Sequence, residues 1–372
     1  MPYVIRPEDR VLFRRCRRAW DLGSRSRQNY EPTTPAWSVD LGEAMRDALA
    51  VYYFPGMWEW NRQIVLPLVH SAFDKSVARQ RERMGVPTEA QEADLQEQRE
   101  LGHRLLNRYF EWAPSVDRFW PVRVETDFFI QIPDPRYDGQ DLTSPTAGEI
   151  RYEGRIAMLV IDEADAYWVI DHRVVRGGWT DVDELLLDER GVSFCWAWEH
   201  FYLGMRIAGT IYNELRADVV PAAAHAPTAP TGPVAQHRRM YAQAAQEPAP
   251  GVSRLEGGAF RRTRIPRSRA ELDQAGVMLA LEAMEMTEPD LSLYPSPSPE
   301  HCLACDYRRP CLAMNEGRDI GAMLRSEYRL RPPEEAREGR LGGQTWSMNR
   351  GAMPLDSRAR ERQRLPKEET QP

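Results

Sequence analysis

Lysine is nearly absent from this sequence. Lys75 and Lys367 are the only two lysines among 49 basic residues, so arginine carries almost all of the positive charge. Arginine dominance reflects either the base composition of the genome or the recognition of phosphate by planar guanidinium groups. The net charge of -7 gives no independent indication of a nucleic-acid partner. Both interpretations stay open on composition alone.

Long apolar runs are missing as well. No stretch is long enough to span a bilayer, and the opening residues MPYVIRPEDRVLFRRC carry scattered charge instead of the apolar segment of a secretory signal. A composition of 42% hydrophobic and 28% charged residues is typical of a globular protein in water. We therefore expect a cytoplasmic location.

The spacing of apolar residues predicts helices in the N-terminal third of the chain. The first 30 residues read as helical, and SVDLGEAMRDALAVYYF has Ser38 or Asp40 as a plausible N-cap. From about Gln63 to Trp112 the spacing is again helical. We expect a helical insertion over about residues 55–115.

After Pro114 the period changes to that of strands. Three successive segments, PVRVETDFFIQI, EIRYEGRIAMLVI and AYWVIDHRVV, are rich in β-branched and aromatic residues and predict a meander. The next segment, SFCWAWEHFYLGMRIAGTIYNELRAD, returns to helical spacing. A Pro/Ala-rich loop over residues 217–251, a basic strand AFRRTRI and a helix opened by the capping box of Ser268 and Glu271 are expected beyond it.

This pattern predicts one folded domain over residues 1–316 and a separate tail. The tail, residues 317–372, is charged, mixed in sign and poor in periodic apolar residues. Such a segment buries too little apolar surface to fold by itself, so we expect it to be disordered.

Three cysteines lie close together near the end of the predicted domain. Cys302, Cys305 and Cys311 form a C-x2-C-x5-C cluster, with Cys16 as the natural fourth thiolate. Close thiolates repel one another, so such a cluster favours a metal centre. This spacing suits a cubane iron-sulfur cluster, whereas a four-cysteine zinc site more often uses two CxxC pairs. Zinc and free core thiols remain alternatives, and Cys195 is expected to be a core thiol.

In chain order, FRRCRRAW, a strand ending in VIDHR, a helix with a terminal tyrosine and EHCLACDYRRPC resemble a known family. The chain is similar to the iron-sulfur RecB-like branch of the PD-(D/E)XK nuclease superfamily. That branch includes the AddB nuclease domain and CRISPR-associated RecB-type exonucleases, with similar proteins in actinobacteria and their phages. The resemblance covers about residues 8–316, and the cysteine arrangement is its specific part.

The resemblance implies an α/β fold with a restriction-endonuclease-like core. A mixed central sheet would be flanked by helices, with an N-terminal helical region and a structural [4Fe-4S] cluster bound by Cys16, Cys302, Cys305 and Cys311. The family chemistry is hydrolysis of a DNA phosphodiester by water activated on Mg²⁺ or Mn²⁺. Such a site needs carboxylate ligands and a lysine that stabilises the charge developing on the phosphate.

Only part of that catalytic set is retained. A helix histidine, the aspartate of G-R-I-D, the lysine of D-x-K and the glutamine of Q-x-x-x-Y are all replaced, whereas the D-x-K aspartate and the tyrosine remain. The residues at these positions, in chain order, are Arg46, Ala157, Asp171, Arg173, Trp198 and Tyr202.

These substitutions favour a degenerate catalytic site. A methyl group at Ala157 cannot bind a cation, although Glu125 with Asp171 could hold one weakly bound Mg²⁺ or Mn²⁺. Asp171 could equally be a strand-end carboxylate paired with a neighbouring arginine. We expect a DNA-binding protein, or a protein partner, in recombination, defence or phage DNA metabolism.

Two alternatives remain. One is an active Mg²⁺- or Mn²⁺-dependent DNA exonuclease that uses Asp171, Glu125, Arg173 and Tyr202. The other is a zinc-stapled scaffold protein with no nucleic-acid role. His172, on the face opposite Asp171, is expected to be structural or solvent-facing.

Several other side chains have both a functional and a structural interpretation. Trp196, Trp198 and Tyr202 could stack on a base, although aromatic residues at helical spacing are more often core. Two arginine groups could contact DNA phosphates or form a solvated face; they are Arg14, Arg15, Arg17 and Arg18, and Arg261, Arg262, Arg264 and Arg267.

Overall fold

A mixed β-sheet forms the centre of the molecule, for which a computed structural model describes residues 2–33, 38–145, 148–219 and 251–332. The strands are β1 (Tyr3–Ile5), β2 (Tyr30–Pro32), β3 (Phe119–Gln131), β4 (Thr143–Ser144), β5 (Gly148–Asp162), β6 (Tyr167–Val175), β7 (Ile207–Arg216), β8 (Ser253–Gly257), β9 (Phe260–Pro266) and β10 (Tyr328–Leu330). The helices are α1 (Pro7–Arg15), α2 (Arg17–Gly23), α3 (Leu41–Tyr52), α4 (Arg62–Met84), α5 (Glu89–Val116), α6 (Val182–Leu186), α7 (Glu189–Phe201), α8 (Arg269–Met286), α9 (Pro299–Cys302), α10 (Arg308–Asn315) and α11 (Gly321–Glu327).

The predicted meander is confirmed. Strand β5 pairs antiparallel with both β3 and β6. The sheet continues in the order β1-β5-β6-β7-β9-β8, and β3 and β4 also pair with β5. The expected α/β class with a mixed sheet flanked by helices is thus present.

Helices cover both faces of this sheet. His172 stacks on Tyr53, which follows α3, whereas the next residue of β6, Arg173, contacts Asp188 at the start of α7. Neighbouring residues of a strand point to opposite faces. Helices α3 and α7 therefore lie on opposite sides of β6.

Helix boundaries follow the capping residues predicted from the sequence. Asp40 caps α3 by accepting a hydrogen bond from the backbone N–H of Glu43 at 2.9 Å. Ser268 and Glu271 form the predicted capping box of α8. Each cap satisfies backbone donors at a helix start that would otherwise lack partners.

The prediction of a single helical segment over residues 193–218 is wrong in its second half. Helix α7 ends at Phe201, and Ile207–Arg216 is strand β7, which pairs parallel with β6 and antiparallel with β9. Nearly every residue of β7 is buried, so polar and apolar residues do not alternate along it. Without that alternation, a buried strand cannot be distinguished from a helix by periodicity.

The prediction for the N-terminus needs a smaller correction. Residues 3–5 form strand β1, which pairs parallel with β5, and helices begin only at Pro7. The predicted loop over residues 217–251 lies mostly outside the described residues.

The predicted domain boundary at residue 316 is too early. The folded unit extends to Arg331. Helix α11 and strand β10 follow α10, and β10 pairs with β2 near the other end of the chain. Tyr328 stacks on Tyr307 and is buried, which explains why this charged segment folds. The rest of the predicted tail, from residue 333, lies outside the described residues.

Among the residues described, no helix is long and apolar enough to cross a membrane.

Candidate functional site

A cleft of about 450 Å³ lies between the start of α3 and the C-terminal half of β6. Its lining comprises residues 39–42 and Arg46, residues 171–176, and Arg190 of α7. The cleft borders β6 beyond the point where pairing with β5 ends, since the last pair is Met158 with Ile170. On its other edge β6 stays paired with β7 as far as Val175. The sheet therefore holds one side of the cleft rigid.

Asp171 is paired with an arginine inside this cleft. Nε of Arg173 donates to Oδ2 of Asp171 at 2.7 Å, and Nη2 of the same guanidinium donates to Oδ2 of Asp188. The Arg173 guanidinium also lies over the ring of Tyr212, 4.5 Å from its centroid. Carboxylates on two elements thus share a single cation, which places Asp171 in an ion-pair network.

The Asp171 carboxylate is kept ionised by its surroundings. Burial alone would raise its pKa, but the positive charges of Arg190 and Arg173 outweigh burial and lower the pKa below the ordinary value. The pKa of Arg173 is raised, because the attraction of Asp171 and Asp188 exceeds the effect of its own burial. The pair is stable as carboxylate and guanidinium across the physiological pH range.

The other arginines of the cleft have no such partner. Within the part of the chain that the structure describes, Arg46, Arg176 and Arg190 form no ion pair, and Arg176 donates to the amide oxygen of Gln98 at 2.8 Å. The two acidic residues that line the cleft are engaged, Asp40 as the cap of α3 and Asp171 with Arg173. The cleft therefore carries a surplus of positive charge suited to binding an anion.

His172 lies on the opposite face and is buried, so the solvent-facing alternative is wrong. Its Nδ1 accepts a hydrogen bond from Nδ2 of Asn213 at 2.9 Å, which places the ring proton on Nε2. Burial, together with the charges of Arg262 and Arg46, lowers the pKa of His172 to about 3 despite nearby Asp171. His172 is a neutral structural residue beneath the cleft.

Glu125 and Ala157 lie on the neighbouring strands. They face each other between the pairs Val124–Met158 and Thr126–Ile156, and Glu125 has a backbone φ of 41°, which marks an irregularity in β3. Arg155 lies 3.8 Å from the Glu125 carboxylate. Ala157 immediately precedes Met158, the first residue of β5 that pairs with β6.

Trp198 and Tyr202, which were predicted at motif positions, are not among the residues that line the cleft. Trp198 is fully buried, donates to the sulfur of Met205 and packs against Tyr202 at a ring-centroid distance of 4.9 Å. These residues belong to the C-terminal end of α7. At its start, Arg190 lines the cleft together with Asp171, and Asp188 shares Arg173 with Asp171. The alternative interpretation of the aromatic residues as core is confirmed for Trp196 and Trp198.

Three of the four arginines in and directly after the basic strand β9 are buried, so the expectation of a solvated face is wrong for them. Arg261 and Arg262 are buried and pair with Glu214 and Asp117, and the guanidinium of Arg267 donates to backbone carbonyls of α6. Arg264 pairs with Asp162. In the N-terminal group, Arg14 and Arg17 pair with glutamates, and Arg18 contacts residues of α10. Apart from Arg15, which is exposed, these arginines are held within the fold by ion pairs or hydrogen bonds.

Four cysteines occupy the region where the two ends of the folded unit meet. Cys16 and Cys305 pack against the same apolar cluster, which contains Leu22, Tyr307 and Tyr328. Nη1 of Arg18 lies 3.4 Å from Sγ of Cys311, and the backbone N–H of Ser298 lies 3.4 Å from Sγ of Cys302. Four thiols suit a cluster chemically, but among the described residues no three potential ligands converge on one point. Cys195 is buried, as expected, and burial raises the pKa of its thiol to about 12.

Sequence reasoning missed Arg190, which lines the cleft, and Asp188, which pairs with Arg173 of the cleft. Asp188 caps α7, accepting from the backbone N–H of Arg190 at 3.2 Å. The only available signal was the helix-start pattern DERG, which reads as an ordinary cap. Arg46 was placed at a family motif position, and it does line the cleft.

Comparisons with known proteins add little. No protein-family model and no curated protein matches the chain. The crystal structure of SSO0001 aligns with a TM-score of 0.24 and 12% sequence identity, covering 75% of this chain and 88% of that chain. A TM-score of this size does not establish a shared fold.

Proposed function

We propose that this chain is a nucleic-acid-binding protein of the iron-sulfur RecB-like PD-(D/E)XK fold whose centre for hydrolysis is degenerate. One observation carries the proposal: the Asp171 carboxylate is bound by Arg173 in a cleft where three further arginines have no ion pair. Planar guanidinium groups without a carboxylate partner suit phosphate oxygens. A role in recombination, defence or phage DNA metabolism is what the family resemblance implies.

The surroundings of the remaining carboxylates support loss of hydrolysis. A hard cation such as Mg²⁺ needs several oxygen ligands. Asp171 has Arg173 as its partner, Glu125 has Arg155 nearby, and Ala157 offers no oxygen between them. A cation would have to displace an arginine before it could bind Asp171.

Binding to DNA is the first test. Arg46→Gln and Arg190→Gln should each weaken the binding of a labelled oligonucleotide by about tenfold or more, because each removes a charge-assisted contact of about 1.5 kcal/mol or more. Added salt should weaken binding of the unaltered protein. Arg318→Gln is the matched control, since Arg318 is exposed, paired with Glu316 and outside the cleft. Equal affinities of all four proteins would contradict the proposal.

Digestion is the second arm of that experiment. Single-stranded and double-stranded DNA incubated with the protein and Mn²⁺ should stay intact. Degradation that Asp171→Ala abolishes would establish the active exonuclease and overturn the degenerate site.

The cysteines carry the iron-sulfur part of the proposal. Cys16, Cys302, Cys305 and Cys311 would hold the cluster and link α1 and α2 to the C-terminal helices, closing a loop that spans nearly the whole folded unit. Iron and sulfide analysis of protein purified without oxygen should find both elements. Zinc without iron would favour the scaffold alternative.

A further inference from the structure

A second cavity, of about 680 Å³, adjoins the arginine cleft. Arg173 and Arg190 line both cavities and so form the boundary between them. The second cavity extends from this boundary to α1 on one side and α6 on the other. A ligand held by Arg190 can therefore reach into both.

The second cavity has a different charge from the first. Three of its four arginines are ion-paired: Arg10 with Glu282 at 2.5 Å, Arg14 with Glu189, and Arg173 with Asp188. The fourth is Arg190, at the boundary with the arginine cleft. Asp183 and Glu184, in the first turn of α6, add carboxylates that form no ion pair within the described residues. Away from Arg190, these carboxylates would repel a phosphate but not a neutral group.

The walls of the second cavity also offer apolar surface. Val11 is 58% exposed and Leu187 is 79% exposed, and both line the cavity. Such side chains can pack against the flat face of a base. The neighbouring carboxylates can accept hydrogen bonds from its amino group.

We propose that the two cavities together bind one terminal nucleotide, with its phosphate in the arginine cleft and its nucleoside in the second cavity. This inference rests on the proposed nucleic-acid binding and names its substrate class, a strand end that carries a phosphomonoester. A terminal phosphate has a charge of about -1.5 to -2 at neutral pH and three free oxygens, whereas a phosphodiester within a strand has a charge of about -1. Three arginines without ion pairs favour the more highly charged group.

The surroundings of the arginines in β9 and in the N-terminal helices support binding of a strand end rather than binding along a long strand. Outside the cleft, the arginines of β9 are buried or ion-paired, and Arg14 and Arg17 of the N-terminal helices are ion-paired. A protein that follows a long single strand needs a continuous basic groove. The cleft with the surplus of positive charge has a volume of about 450 Å³, which makes it a compact site and not a continuous groove.

The test compares short single strands of one sequence that carry either a phosphate or a hydroxyl at the 5′ or 3′ end. A phosphate at one of the two ends should tighten binding by about tenfold. Arg46→Gln and Arg190→Gln should each remove most of that difference. The double variant Asp183→Asn with Glu184→Gln should keep the phosphate dependence but reduce the preference for a terminal cytosine over a terminal thymine, which has no amino group.

Two controls match these variants. Arg318→Gln replaces an exposed arginine outside the cleft, and Asp290→Asn replaces an exposed carboxylate outside both cavities. Thermal unfolding of every variant checks that it is folded. A second ligand, a nucleoside monophosphate titrated by calorimetry, tests the same site without a strand.

Each outcome separates this inference from the proposed function. Equal binding of strands with phosphate and hydroxyl ends would refute the binding of a terminal nucleotide and leave the proposed nucleic-acid binding intact. Binding of a nucleoside monophosphate without any oligonucleotide would support the two-cavity site and refute the proposed function. If neither ligand binds, both are refuted.

Discussion

At Asp171, one arginine decides what the carboxylate can do. The guanidinium of Arg173 is planar and has several donors in fixed directions, so it binds Asp171 and Asp188 at the same time. A lysine ammonium is a compact charge on a flexible chain and holds such a bridge less firmly. With an arginine two residues after it, Asp171 is therefore one member of an ion-pair network and not a free cation ligand.

The sequence predicted this pairing only as one of two alternatives. Residues two apart on a strand share a face, so Asp171 and Arg173 were close in either case. Whether the carboxylate would face a metal or the arginine depended on Asp188, which comes from a different element. A single sequence does not reveal such contacts between elements.

His172 should make the stability of the fold sensitive to acid. Its pKa is about 3 in the fold and 6.5 when unperturbed, so the unfolded chain takes up a proton as pH falls below about 6.5 while the folded protein does not. The free energy of unfolding should decrease between about pH 6.5 and pH 3, by at most about 1.4 kcal/mol per pH unit from this one residue.

Urea unfolding at several pH values measures this effect. His172→Gln, whose side-chain oxygen can still accept from Asn213, should reduce the loss between pH 6.5 and pH 4.5. His200→Gln, at an exposed position of α7, should leave it unchanged. A pH dependence identical in all three proteins would contradict this account.

At the scale of secondary structure, strand β7 was predicted to be helix. This error explains why the site was only partly predicted. Strands with one exposed face, such as β3, were placed correctly, but β7 is buried between β6 and β9. Reading β7 as helix concealed a strand-helix-strand unit, β6-α7-β7. In such a unit the helix starts near the carboxyl end of the first strand, which is why Asp188 and Arg190 meet Asp171.

Packing between helices α4 and α5 depends on Gly102. A Cβ atom at this position would lie 1.9 Å from Cζ of Phe73, whose ring is fully buried. Alanine favours a helix over glycine by about 1 kcal/mol, but overpacking a core costs about 1–3 kcal/mol. Gly102→Ala should therefore lower the free energy of unfolding.

A compensating change tests the cause. In the double variant Gly102→Ala with Phe73→Leu, the smaller side chain makes room for the methyl group. The double variant should be more stable in urea than the sum of the two single effects predicts. Strict additivity of the two effects would show that contact with the Phe73 ring does not cause the destabilisation by Gly102→Ala.

Across the whole molecule, the two ends of the folded unit are held together. Strand β10 pairs with β2, and Tyr307 donates to the backbone oxygen of Tyr30 at 2.7 Å. The apolar cluster at this junction also contains Cys16 and Cys305. The sequence predicted that Cys16 and the C-terminal cysteines belong to one site, but not that residues 321–330 pack over this region.

Tyr328 should control access to these cysteines. It is buried, stacks on Tyr307 and donates to the backbone oxygen of Asp306 at 2.6 Å. Tyr328→Ala should lower the free energy of unfolding by about 3 kcal/mol, as for other buried aromatic residues. In reduced, metal-depleted protein it should also speed the reaction of Cys16 and Cys305 with a thiol reagent, because their shared apolar cluster is opened.

The conservative variant separates packing from hydrogen bonding. Tyr328→Phe keeps the ring and loses only the bond to Asp306, so its thiol reaction rates should stay close to those of the unaltered protein. Cys195, buried in another part of the core, serves as the internal reference. If Tyr328→Ala leaves the reaction of Cys16 and Cys305 unchanged, the C-terminal strand does not protect the cysteine region, and residues 321–330 contribute stability alone.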